Sequence, residues 1–96
     1  MAEQDWKVVR TVAGPGDWAL TNTSGKHARR VHVTFEGVID GRRWSEGVTP
    51  TRVATRPGEI GPYETVTFTI PDPNTVDRVT VEWSGTFRRK TWTTTA

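Results

Sequence analysis

Residues 30–44 read Arg30-Val31-His32-Val33-Thr34-Phe35-Glu36-Gly37-Val38-Ile39-Asp40-Gly41-Arg42-Arg43-Trp44. Val31, Val33 and Phe35 fall on one side of an extended chain and Arg30, His32 and Thr34 on the other, because successive side chains of a strand point to opposite faces. That is the pattern of a strand with one face on a core and one in water. Asp40-Gly41 then stands between Val38-Ile39 and Arg42-Arg43-Trp44. Asp-Gly accepts the two positive φ angles of a type I′ turn, so the stretch predicts a two-residue β-hairpin.

The same grammar recurs along the chain. Val66, Phe68 and Ile70 alternate with Thr65, Thr67 and Thr69, and Val79, Val81 and Trp83 alternate with Thr80, Glu82 and Ser84. Weaker strands are expected over 6–11, 18–22, 42–46, 49–55 and 90–95. Turn formers separate them: Gly14-Pro15-Gly16, Thr23-Ser24-Gly25, Pro57-Gly58, Gly61-Pro62 and Pro71-Asp72-Pro73-Asn74. No window carries a sustained apolar repeat at helical spacing. Short strands with turn signals at about 8–12-residue intervals predict a β-sandwich, with a small barrel as the alternative.

Asn22-Thr23-Ser24-Gly25, then Ala28, Val31 and Val33, are followed by Pro57-Gly58-Glu59-Ile60 and Glu64-Thr65-Val66-Thr67-Phe68-Thr69. Together these motifs resemble the bacterial cell-adhesion-related and NEW3-like branches of the immunoglobulin-like domains. Those branches combine an Asn-Thr-Gly-type turn, an alternating valine strand and a Pro-Gly-Glu turn ahead of a threonine-rich strand. The resemblance implies an all-β, antiparallel, immunoglobulin-like Greek-key sandwich of seven or eight short strands, spanning 1–96 as one domain. It also implies a module for binding, adhesion or architectural support, with no catalytic residues to carry over.

Bulk properties narrow the function classes. A chain of 96 residues holds one core, since two would each fall near the lower limit for an unstapled fold. Without cysteine it has no disulfide framework, thiolate metal site or cysteine nucleophile. The opening Met1-Ala2-Glu3-Gln4-Asp5-Trp6 has neither the basic nor the apolar region of a signal peptide, and no apolar run approaches a membrane span. The expectation is therefore a cytoplasmic protein or a virion component of a bacterium or phage, with no membrane partner. A net charge of +2, from 13 Lys plus Arg against 11 Asp plus Glu, is weak support for a polyanion partner.

The residues offer little to catalysis. His27 belongs to a turn region and His32 to the solvent side of its strand, so neither meets the nucleophile, base and orienting group of a triad. No ligand spacing for zinc and no calcium loop occurs, and Asp72-Pro73-Asn74 with Asp77 is explained by turn formation. Gly14-Pro15-Gly16 leads into a strand and lacks the helix N-terminus of a phosphate loop. The chain is expected to be no enzyme and to use no cofactor.

Five tryptophans are the unusual feature. Trp83 and Trp18 continue apolar faces and are expected in the core, with Trp6 in the core or packed at an edge. Trp44 and Trp92 have polar neighbours on both sides. Either they pack between the sheets, or with Arg42, Arg43 and Arg89 they form an exposed surface of residue types enriched in interface hot spots. These five residues are the candidate partner-binding set, for another protein or for self-association. A glycan stacking on Trp44 or Trp92 is the alternative. Nucleic acid held by Arg29, Arg30, Arg42, Arg43, Arg88, Arg89 and Lys90 is disfavoured, because Glu36, Asp40, Glu46 and Glu82 are interspersed with the cations.

Overall fold

The computed structural model describes residues 5–11, 18–50, 58–70, 72–84 and 88–95. Seven strands run through them: β1 (Trp6–Arg10), β2 (Trp18–Asn22), β3 (Arg29–Ile39), β4 (Arg42–Val48), β5 (Thr65–Phe68), β6 (Val76–Ser84) and β7 (Arg89–Thr95). A 3-10 turn, Pro73–Thr75, leads into β6. All strand pairs are antiparallel and form two sheets, ordered β1-β2-β5 and β4-β3-β6-β7. The chain is thus all-β, with two sheets packed in a sandwich-like arrangement. Among the described residues no helix is long and apolar enough to cross a membrane.

Alternation places the core where the sequence puts it. Val31, Val33 and Phe35 of β3, Val79 and Val81 of β6 and Leu20 of β2 are all essentially inaccessible. Phe35 sits between the sheets, with its ring centroid 6.1 Å from Trp18 and 5.4 Å from Phe68. Aromatic contacts of this kind contribute about 0.5–1.5 kcal/mol each beyond the area they bury. At one end Trp6 meets Trp83 edge to face at 5.3 Å. The other end is closed by the Trp18 indole N–H, which donates to Pro73 O at 3.2 Å, and by the Arg10 guanidinium 5.9 Å over the Trp18 ring.

A second tie crosses the Trp6 end. Asn22 is fully buried, and its Nδ2 donates to Lys26 O (2.7 Å), Ile60 O (3.1 Å) and Gly61 O (3.1 Å). Its Oδ1 accepts from the Ser24 N–H (3.0 Å) and the Ser24 hydroxyl (2.7 Å). Ile60 in turn forms an antiparallel bridge with Ala28, just ahead of β3. One side chain at the end of β2 thereby holds the turn into β3 and the chain entering β5.

Three expectations shift on contact with the structure. Residue 30 does not share a regular outer face with His32 and Thr34, because the β3–β6 register slips between Arg29 and His32 and Arg30 takes a left-handed φ of 52°. Such a bulge gives the strand one extra residue and breaks alternation locally. β3 and β4 are longer than the alternating cores suggested, since they continue to meet the hairpin and its partner strand. Of the strand expected over 49–55, Thr49 and Pro50 lie outside any strand, and 51–55 are outside the described residues. The Pro50 carbonyl instead accepts from Gly58 N at 2.6 Å.

The hairpin is as expected, with Ile39 paired to Arg42 and φ of 51° at Asp40 and 77° at Gly41. A Cβ at Gly41 would meet nothing within 4 Å, so only backbone conformation opposes a side chain there. Gly41→Ala should lower stability by about 1–2 kcal/mol. Gly41→Asn should lose clearly less, because asparagine tolerates the left-handed region. Urea midpoints of the two variants check this, and equal losses would mean that the turn is not what sets the cost.

Candidate functional site

The five candidate residues separate onto two edges of the four-stranded sheet. Arg42, Arg43 and Trp44 lie on β4, and Arg89 and Trp92 on β7, with β3 and β6 between them. They therefore form two surfaces instead of one.

At the β4 edge, Trp44 pairs with Gly37 and points to the inner side, where it is half-buried against the core. Its Nε1 donates to Thr75 Oγ1 at 2.8 Å, and that hydroxyl donates to Asp72 O at 2.9 Å. Arg43, one position earlier, points outward and reaches Asp77 Oδ1 (3.2 Å) and Glu36 Oε2 (3.4 Å). Arg78 approaches the same Glu36 carboxylate at 3.6 Å. Arg42 is exposed beside the turn. An open cleft of about 550 Å³ lies here, lined by Ile39, Asp40, Arg42, Arg43 and Trp44. Its charges are largely matched, which is the usual condition of a solvated sheet face.

The β7 edge differs. Trp92 pairs with Val81 and is half-buried on the inner side, packed against the core. Arg29 and Arg89 both pair with Ser84, from opposite sides of β6, so their side chains leave the same outer face about two strand spacings, or about 10 Å, apart. Arg89 Nη1 donates to the Arg30 carbonyl at 3.1 Å, tying β7 to the β3 bulge. Arg88 and Lys90 flank Arg89, and all five cations are exposed. Among the described residues the one ion pair any of them makes is Arg89 Nε to Glu82 Oε2, at 3.9 Å. The sequence contained each of these cations but not their grouping, which depends on β3, β6 and β7 lying side by side. The left-handed Arg30 carried no sequence signal.

Several other polar side chains hold the fold. The Asn74 carboxamide oxygen accepts from Arg10 Nη2 at 2.8 Å, and Asp77 faces Arg43, so these turn oxygens do not converge on a common point. His27 lies 3.4 Å from Glu59, while His32 has Nδ1 3.4 Å from Thr49 Oγ1. Among the described residues no three of His, Asp and Glu gather as a metal ion would require. A further open cleft, of about 340 Å³, runs between Val48–Pro50 and β5, lined by Thr65, Thr67 and Thr69 together with Val66 and Phe68. Comparison with family models, curated proteins and solved structures finds no match for this chain.

Proposed function

We propose that this chain is an immunoglobulin-like Greek-key module that binds another protein, or assembles with copies of itself, without catalysing a reaction. The strand order supports the topology. β3 and β4 turn away into the second sheet after β2, β5 returns to pair with β2, and β6 returns to pair with β3. Such returns between two antiparallel sheets are the Greek-key connection of immunoglobulin-like sandwiches.

The observation that carries the functional reading is that both sheets end in strands with one side unpaired by any described strand: β1 and β5 in one, β4 and β7 in the other. An unpaired edge presents a row of main-chain donors and acceptors that an extended partner segment can complete. The carbohydrate alternative draws on Trp44 and Trp92. Both indoles are half-buried against the core, and the Trp44 N–H is taken by Thr75, which favours the edges over the indole faces as the contact surface.

The test is solution mass by light scattering across a concentration series. The expected result is a rise from the 10.8 kDa chain to a fixed multiple. A one-chain mass throughout removes self-assembly and leaves the binding of a foreign segment. If titration with an extended acidic peptide also shows no binding, the reading is overturned.

A further inference from the structure

We infer that the β7 edge is a docking site for an extended acidic polypeptide segment. Its main chain would complete the sheet beyond β7, its carboxylates would face Arg88, Arg89 and Lys90, and Arg29 and Arg30 would steer its approach. The inference rests on the binding reading above and names the chemistry of the partner.

Two independent observations meet at this place. The first is the open edge of β7, seven residues long. The second is the gathering of five exposed cations at the N-terminal end of that strand, with Arg29 and Arg89 on the outer face beside Glu82 and Lys90 on the inner one. Charged residues on an edge strand are a common device against unwanted pairing, and that alone would account for Arg89 and Lys90. It does not account for Arg29 and Arg30. These stand on β3 where β6 lies on one side and the Gly58–Ile60 segment on the other, so no open edge needs protection there. Their proximity to β7 adds like-charge repulsion to the fold, offset where a negative partner is present.

Charge also selects among occupants. A second copy pairing β7 with β7 would bring two arginine-rich strand ends together, and like charges directly across a strand pair are destabilising. A single-stranded nucleic acid would call for aromatic faces on which bases stack. The indoles at this end, Trp83 and Trp92, are on the inner side. An extended acidic peptide uses both features at once: main-chain bonds along the edge, and carboxylates opposite cations whose cross-strand Cβ separation would be about 5 Å.

The test titrates the intact chain with a synthetic glutamate-rich peptide carrying carboxylates on both faces of its extended chain, its lysine counterpart, and single- and double-stranded DNA oligonucleotides, followed by amide NMR and stopped-flow fluorescence. The expected result is binding of the glutamate peptide alone, with shifts and new hydrogen-exchange protection concentrated at 88–95. Reversing Arg88 and Lys90 together (R88E/K90E) should weaken it about tenfold or more. R29E should act mainly on the association rate, lowering it about threefold at low salt with little change in dissociation. R42E, at the opposite edge, should leave both rates unchanged. Arg88, Lys90 and Arg29 are exposed and make no ion pair among the described residues, so the folded state of each variant is expected to persist and is checked by thermal unfolding. Shifts centred on the hairpin, indifference to R88E/K90E, or tighter binding of either oligonucleotide would overturn the inference. Should the peptide fail while light scattering gives a fixed multiple, the acidic partner falls and the assembly reading stands.

Discussion

Replacing Asn22 by alanine should lower the unfolding free energy by about 3–5 kcal/mol, a large part of the roughly 5–15 kcal/mol that a domain of this kind possesses. The loss comes from the hydrogen bonds removed and hardly from volume. Two Nδ2 hydrogens serve three carbonyls, those of Lys26, Ile60 and Gly61, and the side-chain oxygen serves the Ser24 N–H and hydroxyl. Each carbonyl keeps one other donor, the Ala28 N–H at Ile60, the Glu64 N–H at Gly61 and the Ser24 hydroxyl at Lys26. The cost is therefore that of the five bonds themselves, about 1 kcal/mol each, with the Ser24 N–H losing its acceptor. Urea unfolding should show a lower midpoint with an unchanged slope. Asn22→Asp separates hydrogen bonding from shape, since it keeps the outline and replaces the donor by a charged oxygen aimed at three carbonyls. That variant should be at least as unstable as Asn22→Ala near neutral pH. It should recover on acidification, because a protonated carboxyl carries no charge and can donate once, so its stability rises as pH falls. A loss near 1 kcal/mol for Asn22→Ala would mean that water replaces the amide readily.

Gly37→Ala should be the most damaging alanine substitution among the described glycines, at about 3 kcal/mol. Gly37 is buried at a register slip of β3 against β6 and pairs with Trp44 on its other side. A Cβ there would collide with the Thr75 carbonyl and would lie 2.7 Å from Trp44 Nε1. The Thr75 atoms are backbone and give way only if the 3-10 turn moves. Trp44→Phe, which removes the indole nitrogen, should therefore rescue little, and the coupling between the two substitutions should stay below about 1 kcal/mol. Full rescue would place the constraint in the indole. Gly47→Ala offers a contrast, because the atoms that a Cβ would meet belong to the His32 ring, 2.8 Å away at Nε2, which can turn aside.

Neither residue announced its role in the sequence. Asn22 reads as the first residue of a turn, and Gly37 as one position in an alternating run. What each does depends on segments far along the chain, Ile60–Gly61 and Thr75. The strands themselves were legible where one face is wholly covered: β5 throughout, and β3 and β6 between their register slips, alternate because a core lies beneath every second residue. Alternation blurs where cover is partial. On β4 the inner side carries Arg42, Trp44, Glu46 and Val48, and on β7 Lys90, Trp92 and Thr94, since an edge strand overlies only the margin of the core. That is why Trp44 and Trp92 could not be assigned from their neighbours. β2 misleads in the other direction, with Ala19 buried on the outer face between Val9 and Thr67, so three consecutive residues are covered. The candidate cations were legible as residues, while their division into a charge-matched edge and an unmatched one required the order of the strands.

The pairing of β3 with β6 also governs when the molecule can form. Phe35 finds its partner Val79 about 44 positions later, and Leu20 finds Val66 about 46 later. Loop closure over such distances precedes the contacts that reward it, which slows folding relative to helical domains of the same size. During synthesis at about 5–20 residues per second, β3 emerges several seconds before β6 exists. Through that interval β3 has the β4 arm of the Asp40-Gly41 hairpin as its in-sheet neighbour, and its apolar side can be covered by no more than β1, β2 and then β5.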